Sequence, residues 1–120
     1  MKKHFYFPLL LTVLLISLWG CTGTGNPKPA TYLKNENADI FMLNDFVYTN
    51  AKHIDWVKER EYKIEDEIGE IKKQTDSAFA FTNGSANVLP VGTKIFSTDS
   101  PLTIAVVDGE EIPYIKQVEG

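Results

Sequence analysis

Cysteine is nearly absent from this chain. Of 120 residues only Cys21 carries a thiol, so no intramolecular disulfide can form and no cysteine pair can hold a metal. Histidine is almost as scarce. His4 lies in the apolar N-terminal segment and His53 stands alone beyond it, which leaves no Cys/His dyad, no histidine cluster for zinc and no expectation of a metal or cofactor. Basic residues are the minority, 12 against 16 acidic, and without Lys2 and Lys3 the count becomes 10 against 16. A chain with that balance and no basic patch lacks the phosphate-neutralising surface on which nucleic-acid affinity depends, so nucleic acid is excluded as an expected partner. No glycine-rich phosphate loop and no internal repeat is present.

What the sequence has in concentrated form is its beginning. Lys2 and Lys3 precede an apolar run from Phe5 to Trp19, and Gly20-Cys21 closes it. Charged head, apolar middle and small-residue junction are the parts of a secretory signal. The run is shorter than the roughly 20 residues a permanent spanning helix needs, and Pro8 interrupts its start, so a transmembrane anchor is the weaker alternative. Leu18-Trp19-Gly20-Cys21 resembles the lipobox of bacterial lipoproteins, with Leu at −3, a small residue at −1 and cysteine at +1; Trp19 at −2 departs from the smaller residue usual there. The resemblance implies that Cys21 receives a diacylglyceryl group and becomes the new N-terminus, placing the chain on the outer face of a membrane. Cleavage by an ordinary signal peptidase after Gly23 or Gly25 would instead release it.

Three regions follow: a signal peptide over 1–20, a lipidated Cys21 with a flexible tether over 21–35, and one small domain over 36–120. The tether is rich in Thr, Gly and Pro, and Asn26-Pro27-Lys28-Pro29 favours extended conformations. A domain of about 90 residues buries roughly two thirds of its unfolded surface, enough to fold without disulfide or metal.

The domain is expected to be mainly β, a small antiparallel sheet or half-open barrel with one short helix. Ile40 to Leu43 and Phe46 to Tyr48 flank Asn44-Asp45, two residues suited to a tight hairpin. Asn50 can cap a helix over 51–60, with Ala51, Ile54 and Val57 on one face. Over Glu67 to Lys73 the pattern is ambiguous: Ile64, Ile68 and Ile71 match helical spacing, yet Gly69 disfavours a helix interior by about 1 kcal/mol, and a strand over 67–73 is the expectation. Phe79 and Phe81 alternate with Ala78 and Ala80 before the Asn83-Gly84 turn, which predicts another strand. A loop through Leu89-Pro90-Val91-Gly92 leads to strands over 93–96, 102–107 and 112–118. Asp108-Gly109 predicts a type I′ hairpin between the last two, while Pro113 predicts an edge or a bulge. The run from Leu89 to Phe96, Ile112-Pro113-Tyr114-Ile115 and the terminal Val118-Glu119-Gly120 resemble the C-terminal half of small uncharacterised lipoproteins of Bacillus-type Firmicutes, which implies the same address and fold but no activity.

Signals for chemistry are few. His53 has no nucleophile or orienting group nearby in the sequence, so it reads as a helix-surface residue. Glu65, Asp66, Glu67 and Glu70 lack the ligand spacing of a calcium loop and read as a solvated acidic face. Tyr48, Trp56 and Tyr114 are the candidate binding patch, because aromatic side chains offer large contact area with a polar handle; packing into the core is the competing reading. The resulting expectation is a membrane-anchored, non-enzymatic binding module whose partners are the membrane, through its lipid, and an envelope or exported protein or wall component. A small extracytoplasmic hydrolase using acidic residues is the alternative, and an immunity or inhibitor lipoprotein differs from the first reading only in its partner.

Overall fold

The computed structural model of the protein describes residues 27–118. Strands take 42% and helices 11% of it, so the protein is mainly β, built on an open, curled, half-barrel sheet. In chain order the elements are α1 (Pro29–Leu33), β1 (Ile40–Leu43), β2 (Phe46–Asn50), α2 (Asp55–Glu59), β3 (Ile64–Glu70), β4 (Lys73–Gln74), β5 (Ser85–Ala86), β6 (Lys94–Thr98), β7 (Leu102–Val107) and β8 (Glu110–Gln117).

The eight strands lie in the order β3-β6-β7-β8-β2-β1-β5-β4. Every pairing is antiparallel except the short β4–β5 contact. Two hairpins set the register. Asn44 and Asp45 sit at φ 51° and 70°, and Asp108 and Gly109 at 51° and 82°, the paired positive values a type I′ turn demands. β3 lies at one edge and β4 at the other, yet only Ile71 and Lys72 separate them in sequence. Ile71 N–H donates to the Thr93 carbonyl and Lys72 N–H to that of Gly84, so these two residues carry the chain from one edge to the other. That link draws the sheet into its curl. Gly69 leaves room here for Leu43: a Cβ on it would stand 2.7 Å from Leu43 Cδ1, so that side chain would have to shift.

Period-two alternation divides the side chains. Phe41, Tyr48, Ile71, Leu89, Ile95, Ala105 and Tyr114 fill the inside of the curl. Ile40 and Val47 face outward from the same strands and are covered by Phe81 and by Tyr32 and Leu33 of α1. A third cluster, Ala51, Val57 and Leu102, is where α2 packs.

Six features differ from the sequence-based expectation. The strand expected over 67–73 runs instead over Ile64–Glu70. The helix expected over 51–60 is confined to Asp55–Glu59, with Ile54 rather than Asn50 at its N-cap. Asn50 instead completes β2, where it pairs with Tyr114, and its Oδ1 accepts the Lys52 N–H while Ala51 N–H donates to the Pro113 carbonyl. These bonds hold 50–52 out of helical conformation. No strand forms at Phe79–Phe81: Thr75 Oγ1 accepts the Ser77 N–H and Ala80 N–H donates to Ser77, making a tight turn that leaves Phe79 100% exposed while Phe81 is buried. Pro113 lies in a central strand, not at an edge. Its carbonyl faces the side of β2, and the donor it lacks would point the same way, where β2 has already ended. The last strand ends at Gln117, so Val118 is not part of its face. Finally, the described residues hold two helices rather than one, and α1 forms inside the stretch expected to be tether, with Pro29 at its first turn and Tyr32 and Leu33 packed on the domain.

Candidate functional site

The three aromatic residues expected to make a binding patch do not share a surface. Tyr48 and Tyr114 are 4% and 0% exposed, and only Trp56, 48% exposed on α2, reaches solvent. The reason is the alternation of β2 and β8, which turns both tyrosines into the curl. Phe41 stacks on Tyr48 with ring centroids 4.6 Å apart and meets Tyr114 edge-on at 4.9 Å. Burial of this kind makes them core residues with polar ends.

The acidic run lies on the edge strand β3, where Glu65, Asp66 and Glu67 are exposed. Lys94 reaches between Glu67 and Glu70, 3.5 Å from each, and those carboxylates, Glu67 foremost, raise its pKa. Charged residues along an unpaired edge oppose strand addition by another chain. Cys21 and the signal segment lie outside the described residues. Among the described residues no helix is long and apolar enough to cross a membrane, and no group of three or more His, Cys, Asp and Glu side chains stands together as a metal site.

Among the described residues a groove of about 450 Å³ lies on the outer side of β1 and β2, between α1 and the turn at 51–53. Thr31 and Tyr32 of α1 form one wall. Asn35, Asn37, Ala38 and Asp39 form its end, Ile40, Thr49 and Asn50 its sheet side, and Lys52 and His53 the opposite rim.

Its polar lining is ordered by hydrogen bonds that run inward. Asp39 Oδ1 accepts from the Tyr114 hydroxyl at 2.7 Å, and Oδ2 accepts from Asn50 Nδ2 at 2.9 Å. Asn87 clamps the start of β1, its Oδ1 accepting the Ile40 N–H and its Nδ2 donating to the Ala38 carbonyl. Asn35 Oδ1 accepts the Asn37 N–H at 2.8 Å, and Thr49 Oγ1 accepts from Gln117 Nε2 at 2.8 Å. Burial, reinforced by the hydrogen bond and charge of Asp39, drives the Tyr114 pKa far above the usual phenol range, so that hydroxyl is a permanent donor to the carboxylate.

Of the residues singled out in the sequence, only His53 lines this groove, and it does so from the turn before α2 rather than from a helix. The others were visible only as a density of Asn and Asp between 35 and 50, a composition that reads as turn chemistry. Comparison with protein families, with characterised proteins and with solved structures gives no match for the chain.

Proposed function

We propose that this protein is a lipoprotein held through Cys21 on the extracytoplasmic face of a bacterial membrane, where it acts as a non-enzymatic binding module whose ligand seat is the groove beside α1. The observation that carries the address is Leu18-Trp19-Gly20-Cys21 at the end of a short apolar run, with no other cysteine in the chain. Two or more acyl chains give stable anchoring, at about 0.8 kcal/mol per buried methylene, whereas one chain is marginal. Tethering also raises the effective concentration of the domain for a partner confined near the bilayer.

The binding role is supported by the chemistry of the groove. Hydrolysis by acidic residues needs two carboxylates converging on one concave space. The groove offers one, Asp39, with both oxygens engaged by Tyr114 and Asn50. An immunity or inhibitor role falls within the same reading, with a protein as ligand.

Metabolic labelling with palmitate, followed by crosslinking on intact cells, tests both parts. Label is expected in the wild type and lost in Cys21→Ala, and a saturable partner is expected to be recovered with the anchored form. Unchanged labelling in Cys21→Ala would sink the address, and recovery of no partner would exclude a macromolecular partner and turn the search to soluble ligands and hydrolytic activity.

A further inference from the structure

The groove's hydrogen-bonding capacity is lopsided. Most of its amide and carboxylate acceptors have a partner within the protein: both Asp39 oxygens, Asn50 Oδ1, Asn35 Oδ1 and one lone pair of Thr49 Oγ1, with Asn37 Oδ1 the exception. The side-chain donors are freer. Asn35 Nδ2, Asn37 Nδ2 and the Thr31 and Tyr32 hydroxyls, which can also accept, have no partner among the described residues, and Thr49, which accepts from Gln117, keeps its own O–H free to donate. The rim adds one lysine, Lys52, that takes part in no ion pair among the described residues, where Lys94 has both of those found. A concave surface with free donors and an unpaired cation selects ligands rich in acceptors.

We infer that the groove binds an oxyanion, the carboxylate or phosphate of a small polar ligand, with the anion at the Lys52–His53 rim and the remaining acceptors on the Asn35, Asn37 and Thr49 donors. This deepens the binding-module reading and rests on it. The two Asp39 oxygens are directed to Tyr114 Oη and Asn50 Nδ2 on the protein side, and the anion is placed at the Lys52 rim rather than at this carboxylate. The 450 Å³ of the groove suits a ligand of two or three amino-acid or sugar units rather than an inorganic ion alone. Either oxyanion has a source at a membrane surface, phosphate in lipid head groups and carboxylate in peptides, and matched probes separate the two.

The test is a two-dimensional NMR titration of the mature, isotopically labelled protein in micelles of a phosphate-free detergent. Two probe pairs differ only in charge: N-acetyl-alanyl-alanine against its C-terminal amide, and glycerol 3-phosphate against glycerol. The anionic member of at least one pair is expected to shift the amides of Asn35, Asn37, Thr49 and Lys52 saturably. Its neutral partner is expected to bind at least about tenfold more weakly, as loss of a charge-assisted bond implies. Lys52→Gln, an exposed change, is expected to weaken the anion by a similar factor while leaving the rest of the spectrum in place. Equal binding of charged and neutral probes, no saturable shift in the groove, or full retention in Lys52→Gln would each overturn the assignment. The titration does not depend on the state of Cys21, so failure here is separable from failure of palmitate labelling, and a partner recovered in cells alongside a silent groove would retain the module and discard this site.

Discussion

Tyr114 Oη lies 2.7 Å from Asp39 Oδ1 and joins the inside of the curl to the floor of the groove across 75 residues of sequence. Tyr114 is fully buried against Phe41, so its ring fixes where the hydroxyl points. Asp39 in turn fixes Asn50, and Asn50 the turn that carries Lys52. One core side chain therefore sets the position of a groove rim.

Tyr114→Phe keeps the ring and removes that bond. Asp39 loses one of its two side-chain donors, and a hydrogen bond to a charged group is worth about 1.5–3 kcal/mol. Chemical denaturation is expected to show a loss in that range at neutral pH with an unchanged m-value. A loss below about 0.5 kcal/mol would mean that water replaces the hydroxyl at Asp39 without cost.

Alkaline pH acts on the same group. Burial and Asp39 raise the pKa of Tyr114 above its ordinary value of 10.0, and burial and Glu111 push Tyr62 up to about 12. Between the unfolded and folded values the native state keeps a proton that the unfolded chain has lost, so stability falls as pH rises. The contribution is complete below pH 10 and is lost progressively above it. Stability is expected to fall from pH 10 upward, with a slope approaching about 1.4 kcal/mol per pH unit from Tyr114, while the more exposed Tyr62 contributes less because solvent screens its interaction with Glu111. Tyr114→Phe is expected to be shallower over that window; an identical slope would assign the effect to other groups.

Much of the fold was legible because its signals were local. Asn44-Asp45 and Asp108-Gly109 fix two hairpins through backbone conformation alone, and β-branched residues mark β6, β7 and β8. What misled was also local pattern, overridden by partners distant in sequence. The Ala-Phe alternation at 78–81 reads as a strand, yet its backbone is taken up by turn bonds within 75–81. Asn50 reads as a cap until Asp39 and Tyr114 hold it in the ladder. The groove was hidden for the same reason: it joins α1, the start of β1 and the turn after β2, and no spacing rule connects Thr31 to His53.

Closure of the sheet can be tested at Gly69. A methyl group there would meet Leu43 Cδ1 at 2.7 Å and Cδ2 at 2.9 Å, and Leu43 is itself buried. Gly69→Ala is expected to cost about 1–3 kcal/mol by overpacking. Adding Leu43→Val removes the colliding atoms, so the double variant is expected to be more stable than the sum of the single losses. Strict additivity would show that the two residues do not touch across the interior.

Asn87 is expected to control the opening of β1. Its amide bonds the Ile40 N–H at 2.7 Å and the Ala38 carbonyl at 2.7 Å, and both are partly buried. Asn87→Ala leaves both backbone groups unpaired at about 1–3 kcal/mol in total. Hydrogen exchange at the Ile40 amide is expected to accelerate by more than exchange in β7, because the loss is local. Equal acceleration everywhere would place Asn87 in the global unfolding unit.

The aromatic residues first considered as a patch separate by burial into two kinds, and their alanine variants have to be read differently. Tyr48 lies stacked under Phe41 in the core, so Tyr48→Ala removes a buried ring and is expected to cost about 3–5 kcal/mol, a large part of the stability of a domain this size. Lost partner recovery in that variant would report unfolding, not contact. Trp56 is half exposed on a five-residue helix that follows the groove's Lys52 and His53 rim, and only Val57 of that helix is buried. Trp56→Ala is therefore expected to change stability by less than about 1 kcal/mol and to leave the circular dichroism spectrum unaltered. Partner recovery on cells that falls severalfold in Trp56→Ala, at unchanged stability, would extend the binding surface from the groove along α2. Recovery equal to the wild type would confine it to the groove.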